Sequence, residues 1–347
     1  MHTIEVPALN GLGQPISDIP AGPASYQPQV IFAPNQTAPS QARIGSLVAD
    51  LTARGQFFYG IEITARTAGK PTHLDFNDFL PVLPTFVSLV WLGWEYWKVH
   101  PIEHVNTLTL AKHLEPHIPV MPHLSAYRLS EKRLDAFLAM NLSNMLAVRG
   151  DKVYADQIYT YSQQLVKRAR RARGDTLSIG VGGYPEGYTN EPTHTHYAAQ
   201  SIEHLREKVE SGADFIITQF CYRPEMIVQF VRDCRAANIT VPIMMGVAVP
   251  DSYRSYGTLE KITGVRLPLE LRAQVEQLKE TPAAVSKFFE DLALQIIQHV
   301  LNANVGVYGV QFFTMSRFKP VLAVLQQLRE LGILQVPPAS PETTNLI

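Results

Sequence analysis

The chain has 347 residues, and its 30 Lys and Arg residues against 31 Asp and Glu residues give a net charge of −1 at pH 7. This balance excludes a broad nucleic-acid-binding surface, which requires an excess of positive charge. No apolar run approaches the ~20 residues of a membrane-spanning helix. Two cysteines, Cys221 and Cys234, are too few for a disulfide framework. With no signal-peptide pattern at the N-terminus, we expect a cytoplasmic protein.

Residues 1–40 differ from the rest of the chain, because prolines recur there among Gly, Ala, Gln and Ser. Proline at this spacing prevents a long helix. We therefore predict an irregular, Pro-rich N-terminal arm over 1–40, a single domain over 41–335 and a loose tail over 336–347.

After the arm, short apolar runs alternate with amphipathic segments. The first segment is a predicted helix with Ser40 as a suitable N-cap. Strands are predicted at 57–63, 86–91, 118–124, 145–148, 177–181, 215–219, 241–247 and 307–313. Helices are predicted in most gaps, for example at 130–141, 161–172, 197–211 and 319–331, with three more between 252 and 304. Eight βα units in roughly 290 residues predict a (β/α)8 TIM barrel, and a doubly wound open sheet is the alternative.

Polar residues occur where the predicted strands end, which is where (β/α)8 barrels carry their chemistry. They are Glu62, His123, Arg149-Gly150-Asp151, the segment 182–186, Gln219, and Gln311 with the residues up to Arg317. Polar groups at the corresponding ends of six strands are expected to converge on one pocket.

Glu62 lies inside an otherwise apolar strand. A buried carboxyl group is costly unless it is paired or protonated with a raised pKa. A raised pKa is what a general acid needs near neutral pH. The alternative is a structural glutamate satisfied by Arg66 or by backbone amides.

The other polar positions allow two interpretations each. In Arg149-Gly150-Asp151, the glycine permits close approach of a ligand, the arginine suits a phosphate and the aspartate favours a nearby cation. A βα turn with a surface ion pair is the alternative. His123 is either a ligand contact or a core histidine, and Lys208 is by default a solvated lysine. The sequence shows no complete set of ligands at metal-binding spacing, no GxGxxG dinucleotide-binding motif and no P-loop motif.

Three segments together resemble the catalytic domain of the methylenetetrahydrofolate reductase family. They are Met-Leu-Ala-Val-Arg-Gly-Asp at 145–151, Gly-Gly-Tyr-Pro-Glu-Gly at 182–187 and Gly-Ala-Asp-Phe-Ile-Ile-Thr-Gln-Phe at 212–220. Weaker similarity lies at 60–67 and 310–317, and the whole resemblance covers roughly 56–332. The family fold is a (β/α)8 barrel, in agreement with the strand count.

The resemblance implies that the protein reduces 5,10-methylenetetrahydrofolate to 5-methyltetrahydrofolate in one-carbon metabolism. It implies an FAD that takes a hydride from NADH or NADPH and passes it to the folate. Glu62 matches the family's general acid, and Asp151 matches a carboxylate near the flavin and pterin. The implied FAD contacts are Trp91, His123, Arg149, Gly150, Asp151, Tyr161, Ser162, Tyr184 and Lys208. The implied folate contacts are Gln219, Phe313 and Arg317, and no metal is expected.

Several positions depart from the family pattern. Val90 replaces a flavin-contacting threonine, and Tyr188, Ser201 and Phe313 also differ. Each lost hydrogen bond costs on the order of 0.5–1.5 kcal/mol, so FAD binding is expected to be weaker or different, or absent. The retained Arg-Gly-Asp tripeptide and Tyr184 favour FAD binding. The altered first strand leaves the choice between NADH and NADPH open.

Two alternative functions remain at this point. One is the same chemistry run as oxidation of methyltetrahydrofolate in one-carbon catabolism. The other is a non-redox barrel that binds folate or a related pterin. The expected partner is a tetrahydrofolate derivative, with neither nucleic acid nor membrane, and a homo-oligomer is compatible with the sequence. No counterpart of the family's S-adenosylmethionine-binding domain is seen, so we expect no inhibition by that compound.

Overall fold

A computed structural model describes residues 42–65, 74–91, 98–150, 157–187, 189–190, 195–196 and 198–336. The predicted arm over 1–40 lies outside the described residues, as does the tail beyond 336. Asp151 and Tyr188, two of the positions that the resemblance singles out, also lie outside them.

Eight parallel strands form a closed barrel in chain order. They are β1 (Phe58–Thr64), β2 (Phe86–Val90), β3 (Val120–Ser125), β4 (Asn144–Val148), β5 (Ser178–Gly183), β6 (Phe215–Phe220), β7 (Ile243–Ala248) and β8 (Gly309–Phe313). Closure occurs where β1 pairs with β8, with Phe58 opposite Gly309 and Ile61 opposite Phe312. The predicted TIM barrel is therefore confirmed, and the open-sheet alternative is wrong.

Helices surround this barrel. They are α1 (Ile44–Ala53), α2 (Asn106–Leu114), α3 (Glu131–Ala139), α4 (Ser162–Arg173), α5 (Ala198–Glu210), α6 (Pro224–Ala236), α7 (Tyr253–Thr263), α8 (Leu269–Gln277), α9 (Pro282–Asn302) and α10 (Lys319–Glu330). The three helices predicted between 252 and 304 are α7, α8 and α9. None of the helices in the described part of the chain is long and apolar enough to cross a membrane.

Large apolar side chains fill the barrel interior near the amino-terminal ends of the strands, where they face glycines. The buried interior cluster includes Phe58, Phe86 and Phe215, together with methionines from β3 and β7. A Cβ atom on Gly60 would lie 2.4 Å from the ring of Phe86, so only glycine leaves room for that ring. The barrel centre is consequently a packed apolar floor.

Helix α1 closes the amino-terminal end of the barrel. Its first two backbone amides donate to side chains at the start of barrel strands, from Ile44 to Asn144 Oδ1 at 2.7 Å and from Gly45 to Ser178 Oγ at 2.8 Å. These bonds satisfy amides that a helix start leaves without internal partners. Ile44 and Val48 pack against the apolar floor. With this end covered, the carboxyl ends of the strands form the face available for a site.

Candidate active site

Glu62 projects into the barrel above the apolar floor. Its strand neighbours Ile61 and Ile63 are fully buried on the outer side, so strand alternation turns Glu62 inward. Among the described residues, no hydrogen bond or ion pair of its carboxyl group is found. Burial raises the pKa of this half-buried carboxyl from 4.5 to about 8. At neutral pH Glu62 is therefore mainly protonated and able to donate a proton.

Ser88 and His123 form a hydrogen-bonded pair next to Glu62. Ser88 lies opposite Glu62 in the β1–β2 register, and its Oγ is 2.6 Å from His123 Nε2. Burial lowers the pKa of His123 to about 4, so the imidazole is neutral at physiological pH. The pair supplies hydrogen-bonding groups without adding a positive charge that would favour ionised Glu62.

Gly150 adopts a left-handed conformation with φ of +87° directly after β4. A Cβ atom there would lie 2.6 Å from Ser125 Oγ. Ser125 is fixed in place because it accepts a hydrogen bond from the Tyr127 amide at 3.1 Å. The turn therefore requires glycine. Because position 150 carries no side chain, the backbone next to Arg149 is accessible at the ends of the strands.

Lys208 is a buried cation at the same face. Only 7% of its surface is exposed, and its Nζ donates to the Gly182 carbonyl at 3.0 Å and lies 5.8 Å from the centre of the Tyr184 ring. Burial is the main cause that lowers its pKa; the Arg149 charge also lowers it, whereas Tyr184 raises it. The default expectation that Lys208 is a solvated surface lysine is therefore wrong. Two cations within electrostatic reach of each other suit an anionic ligand.

Three further predicted cofactor residues lie around this face with different exposures. Ser162 is buried in the first turn of α4, whereas Tyr161 before it is 53% exposed and stacks on His204 at 6.3 Å. Trp91 follows β2 and is buried against Phe137 at 6.3 Å. Tyr161 is therefore the more accessible aromatic surface of the two.

The predicted folate residues Gln219 and Phe313 lie on neighbouring parts of the barrel mouth. The β6–β7 ladder is irregular between Ile217 and Phe220, and the amide of Phe220 donates to Gln219 Oε1 at 3.0 Å. Phe313 contacts Phe220 edge to face at 5.7 Å. A Cβ atom on Gly246 would lie 2.6 Å from Phe313, so a small residue on β7 makes this aromatic wall possible.

Arg317 is held at the rim by an acidic partner. Its Nη1 lies 2.6 Å from Asp251 Oδ2, and Ser252 Oγ also donates to Asp251 at 3.0 Å. Burial alone would raise the pKa of Asp251, but the hydrogen bonds from Arg317, Ser255 and Ser252 outweigh it and lower that pKa. Asp251 is thus ionised at neutral pH and offsets the charge of Arg317.

Sequence reasoning missed Ser88 and Asp251. Ser88 carries a signal that could have found it, since it is the lone polar residue of an apolar strand and faces inward like Glu62. Asp251 comes just after the end of β7, but its pairing with Arg317 spans 66 positions and depends on the fold. Within the described ranges, no group of three or more His, Cys, Asp or Glu residues is arranged to hold a metal ion.

Comparison with known proteins places the chain in a family. A family model for methylenetetrahydrofolate reductase matches residues 49–329. A probable methylenetetrahydrofolate reductase (NADH) of Oryza sativa subsp. japonica is 27% identical over 240 residues, which cover 64% of this chain and 40% of that protein. Methylenetetrahydrofolate reductase 1 of Schizosaccharomyces pombe is 30% identical over 216 residues, which cover 59% of this chain and 35% of that protein. The chain thus spans less than half the length of these relatives.

A solved structure shares the fold. It is an uncharacterized protein from Clostridium thermocellum, described as binding two copies of 5-methyl-5,6,7,8-tetrahydrofolic acid. The TM-score is 0.56 at 13% identity, covering 83% of this chain and 100% of that one. At this identity the likeness supports the barrel architecture alone. Because the family model matches most of the sequence, this chain belongs to the methylenetetrahydrofolate reductase family.

Proposed function

We propose that the protein reduces 5,10-methylenetetrahydrofolate to 5-methyltetrahydrofolate, with a nicotinamide nucleotide as co-substrate. The observation that carries the proposal is the protonated Glu62 above the apolar floor, with a pKa of about 8. Opening the five-membered ring of methylenetetrahydrofolate requires a proton donor that keeps its proton at neutral pH. The names of the relatives, NADH-dependent in rice and NADPH-dependent in Caenorhabditis elegans, support a nicotinamide co-substrate without choosing between the two.

The described residues fit FAD at the carboxyl ends of the strands. Arg149 and the buried Lys208 provide two positive charges for a diphosphate, and Gly150 lets that group approach the backbone. Tyr184 and Tyr161 add aromatic surfaces. When bound, FAD would accept a hydride from the nicotinamide and deliver it to the folate.

The Val90 position does not contradict this fit. Its carbonyl oxygen accepts a hydrogen bond from Thr107 Oγ1 at 2.8 Å, so the end of β2 is anchored without a side-chain hydroxyl at position 90. The missing hydroxyl removes one contact worth on the order of 1 kcal/mol. We therefore expect FAD to bind, but with reduced affinity.

Glu62 acts on the folate. Protonation of N10 makes this nitrogen the leaving group, and breaking its bond to the methylene carbon leaves an N5 iminium cation that is ready to accept a hydride. Glu62 supplies that proton and ends the step ionised. Asp151 would favour the cation by its charge, a role that we carry over from the family resemblance. In the reverse direction ionised Glu62 takes the proton back from N10.

Two measurements test the proposal. The first is the visible absorption spectrum of the purified protein, with FAD added, before and after anaerobic addition of NADH or NADPH. We expect a flavin spectrum that bleaches. The second is turnover in both directions with methylenetetrahydrofolate and methyltetrahydrofolate. A protein that binds the folate but transfers no hydride with either nucleotide would support the non-redox binding function instead.

A further inference from the structure

The turn after β8 is joined to β1 by two side-chain hydroxyls, which we call the hydroxyl bridge. Thr314 Oγ1 donates to the carbonyl oxygen of Glu62. Ser316 Oγ accepts from the amide of Thr64 at 3.1 Å. The two hydroxyls therefore bond the backbone on both sides of Ile63, within two residues of the proposed general acid.

The hydroxyl bridge bonds β1 to the β8 turn beyond the point where the backbone pairing between β1 and β8 ends. Backbone pairing between β1 and β8 runs from Phe58 with Gly309 to Ile61 with Phe312. Beyond that point the chain of β8 turns away, and the Glu62 carbonyl and the Thr64 amide are bonded by side chains of the turn. Backbone groups in such a place require partners. The two hydroxyls hold the β8 side of the last part of β1, while its other side stays paired with β2 as far as Thr64 opposite Val90.

The turn itself is held in an uncommon conformation. Met315 and Ser316 have φ values of +48° and +57°, two successive left-handed residues without glycine. Such residues persist where the surroundings fix them. Thr314 fixes this turn and is itself only 4% exposed. Its hydroxyl also accepts a hydrogen bond from the Ser316 amide at 2.9 Å, and its carbonyl oxygen accepts one from the Arg317 amide at 2.8 Å.

We propose that Thr314 is a positioning residue for the folate part of the reaction. Its hydroxyl fixes two groups relative to each other, the Glu62 backbone on β1 and the turn that carries Arg317. The inference rests on the proposed function, because it takes Glu62 as the proton donor and Arg317 as a folate contact. Loss of the hydroxyl should therefore lower folate turnover and raise the KM for folate, while electron transfer from the nicotinamide continues.

The test compares Thr314→Val, which removes the hydroxyl at nearly constant shape, with Thr314→Ser, which keeps it. Thr263→Val is a matched control, because Thr263 Oγ1 likewise donates to a carbonyl, that of Leu259 at 2.7 Å, and accepts from an amide, that of Val265 at 3.2 Å. This threonine lies at the end of α7. Each variant is assayed for folate turnover and for NADH or NADPH oxidation with the quinone menadione as acceptor.

We expect Thr314→Val to lower kcat/KM for the folate at least tenfold, with menadione reduction within twofold of the wild type. Thr314→Ser should recover most of the loss, and Thr263→Val should leave both activities unchanged. Equal losses in both assays, or full folate activity in Thr314→Val, would overturn the positioning role. If Thr314→Val does not fold, Ser316→Ala is tested instead, because it removes only the bond from the Thr64 amide. It should likewise lower folate turnover while menadione reduction is retained. A wild-type protein without any folate turnover would instead refute the proposed function.

Discussion

Replacing Glu62 by glutamine should abolish folate turnover and, above neutral pH, make the protein more stable. With a pKa of about 8 in the folded protein, roughly ten Glu62 side chains are protonated for each ionised one at pH 7. Wild-type reduction of methylenetetrahydrofolate should therefore be nearly constant up to pH 7 and fall about tenfold per unit above pH 8. Glutamine has no proton to donate, so we expect a loss of about 10²–10⁴-fold up to pH 7, and a smaller difference above pH 8, where wild-type Glu62 is itself ionised.

The stability effect has a definite sign. In the unfolded chain Glu62 ionises near 4.5, whereas the folded protein retains the proton to about pH 8. Between these pH values the unfolded chain has released a proton that the folded protein still holds, so the free energy of unfolding falls as pH rises. The loss begins near pH 4.5 and is complete above pH 8. Glutamine does not ionise, and the variant escapes this loss.

The magnitude follows from the size of the shift. A rise from 4.5 to about 8 corresponds to at most about 5 kcal/mol at ~1.4 kcal/mol per pKa unit. The proton that Glu62 keeps at neutral pH and this loss of stability come from the same pKa shift, so we expect nearly the full amount. For a chain of 347 residues, about 5 kcal/mol is a difference in Tm of about 7 °C.

Thermal unfolding of the wild type and of Glu62→Gln at pH 5 and pH 9 measures this effect. The Tm difference between the two proteins should grow in favour of the variant by about 5 °C from pH 5 to pH 9, because roughly 4 kcal/mol of the loss falls between these pH values. Glu270→Gln, at an exposed position in the first turn of α8, controls for removal of a carboxylate and should show little pH-dependent change. A Tm difference that is the same at both pH values would refute a raised pKa of Glu62, and with it the basis of the proposed proton donor.

Three further predictions concern the opposite side of the site and the rim. Lys208→Met should weaken FAD binding at least tenfold in a fluorescence titration, since it removes a buried positive charge; unchanged affinity would remove Lys208 from the cofactor site. Gly150→Ala should lower the free energy of unfolding in urea by about 2 kcal/mol, because the new Cβ meets Ser125 Oγ in a left-handed turn. Asp251→Asn should free Arg317 and lower the KM for glutamylated folate several-fold, with no change for tetrahydropteroate, which lacks the glutamate; an equal change for both substrates would contradict this.

The barrel was predictable because its signal is local and repeated. Each strand is a short apolar run of the right length, and each run is followed by polar residues or a helical pattern, so errors of one or two residues at 118–124 or 241–247 did not alter the count. Glu62 was predictable for a related reason, since a single carboxyl group in an apolar strand is informative wherever the strand lies. The family resemblance added the remaining candidates.

Positions that depend on tertiary contacts were not predictable. The sequence pattern of α1 predicts an apolar stripe, but not that this stripe covers the end of the barrel. The position of α1 is fixed by hydrogen bonds to Asn144 and Ser178. Lys208 lies in a helix with a polar face and resembles a surface lysine, although the fold buries it beside Gly182. The partner of Arg317 is equally hidden, because Asp251 becomes its neighbour only when β7 and β8 lie side by side.

The arrangement of charge explains how one pocket could hold both a neutral acid and an anionic cofactor. Among the residues that the structure describes, burial alone accounts for the raised pKa of Glu62. The exposed cation of the β8 turn, Arg317, is offset by Asp251, and His123 beside Ser88 is neutral. The cations suited to a diphosphate belong instead to the ends of β4 and α5, across the barrel from β1. A cation moved next to β1 would lower the pKa of Glu62 and remove the proton that ring opening requires.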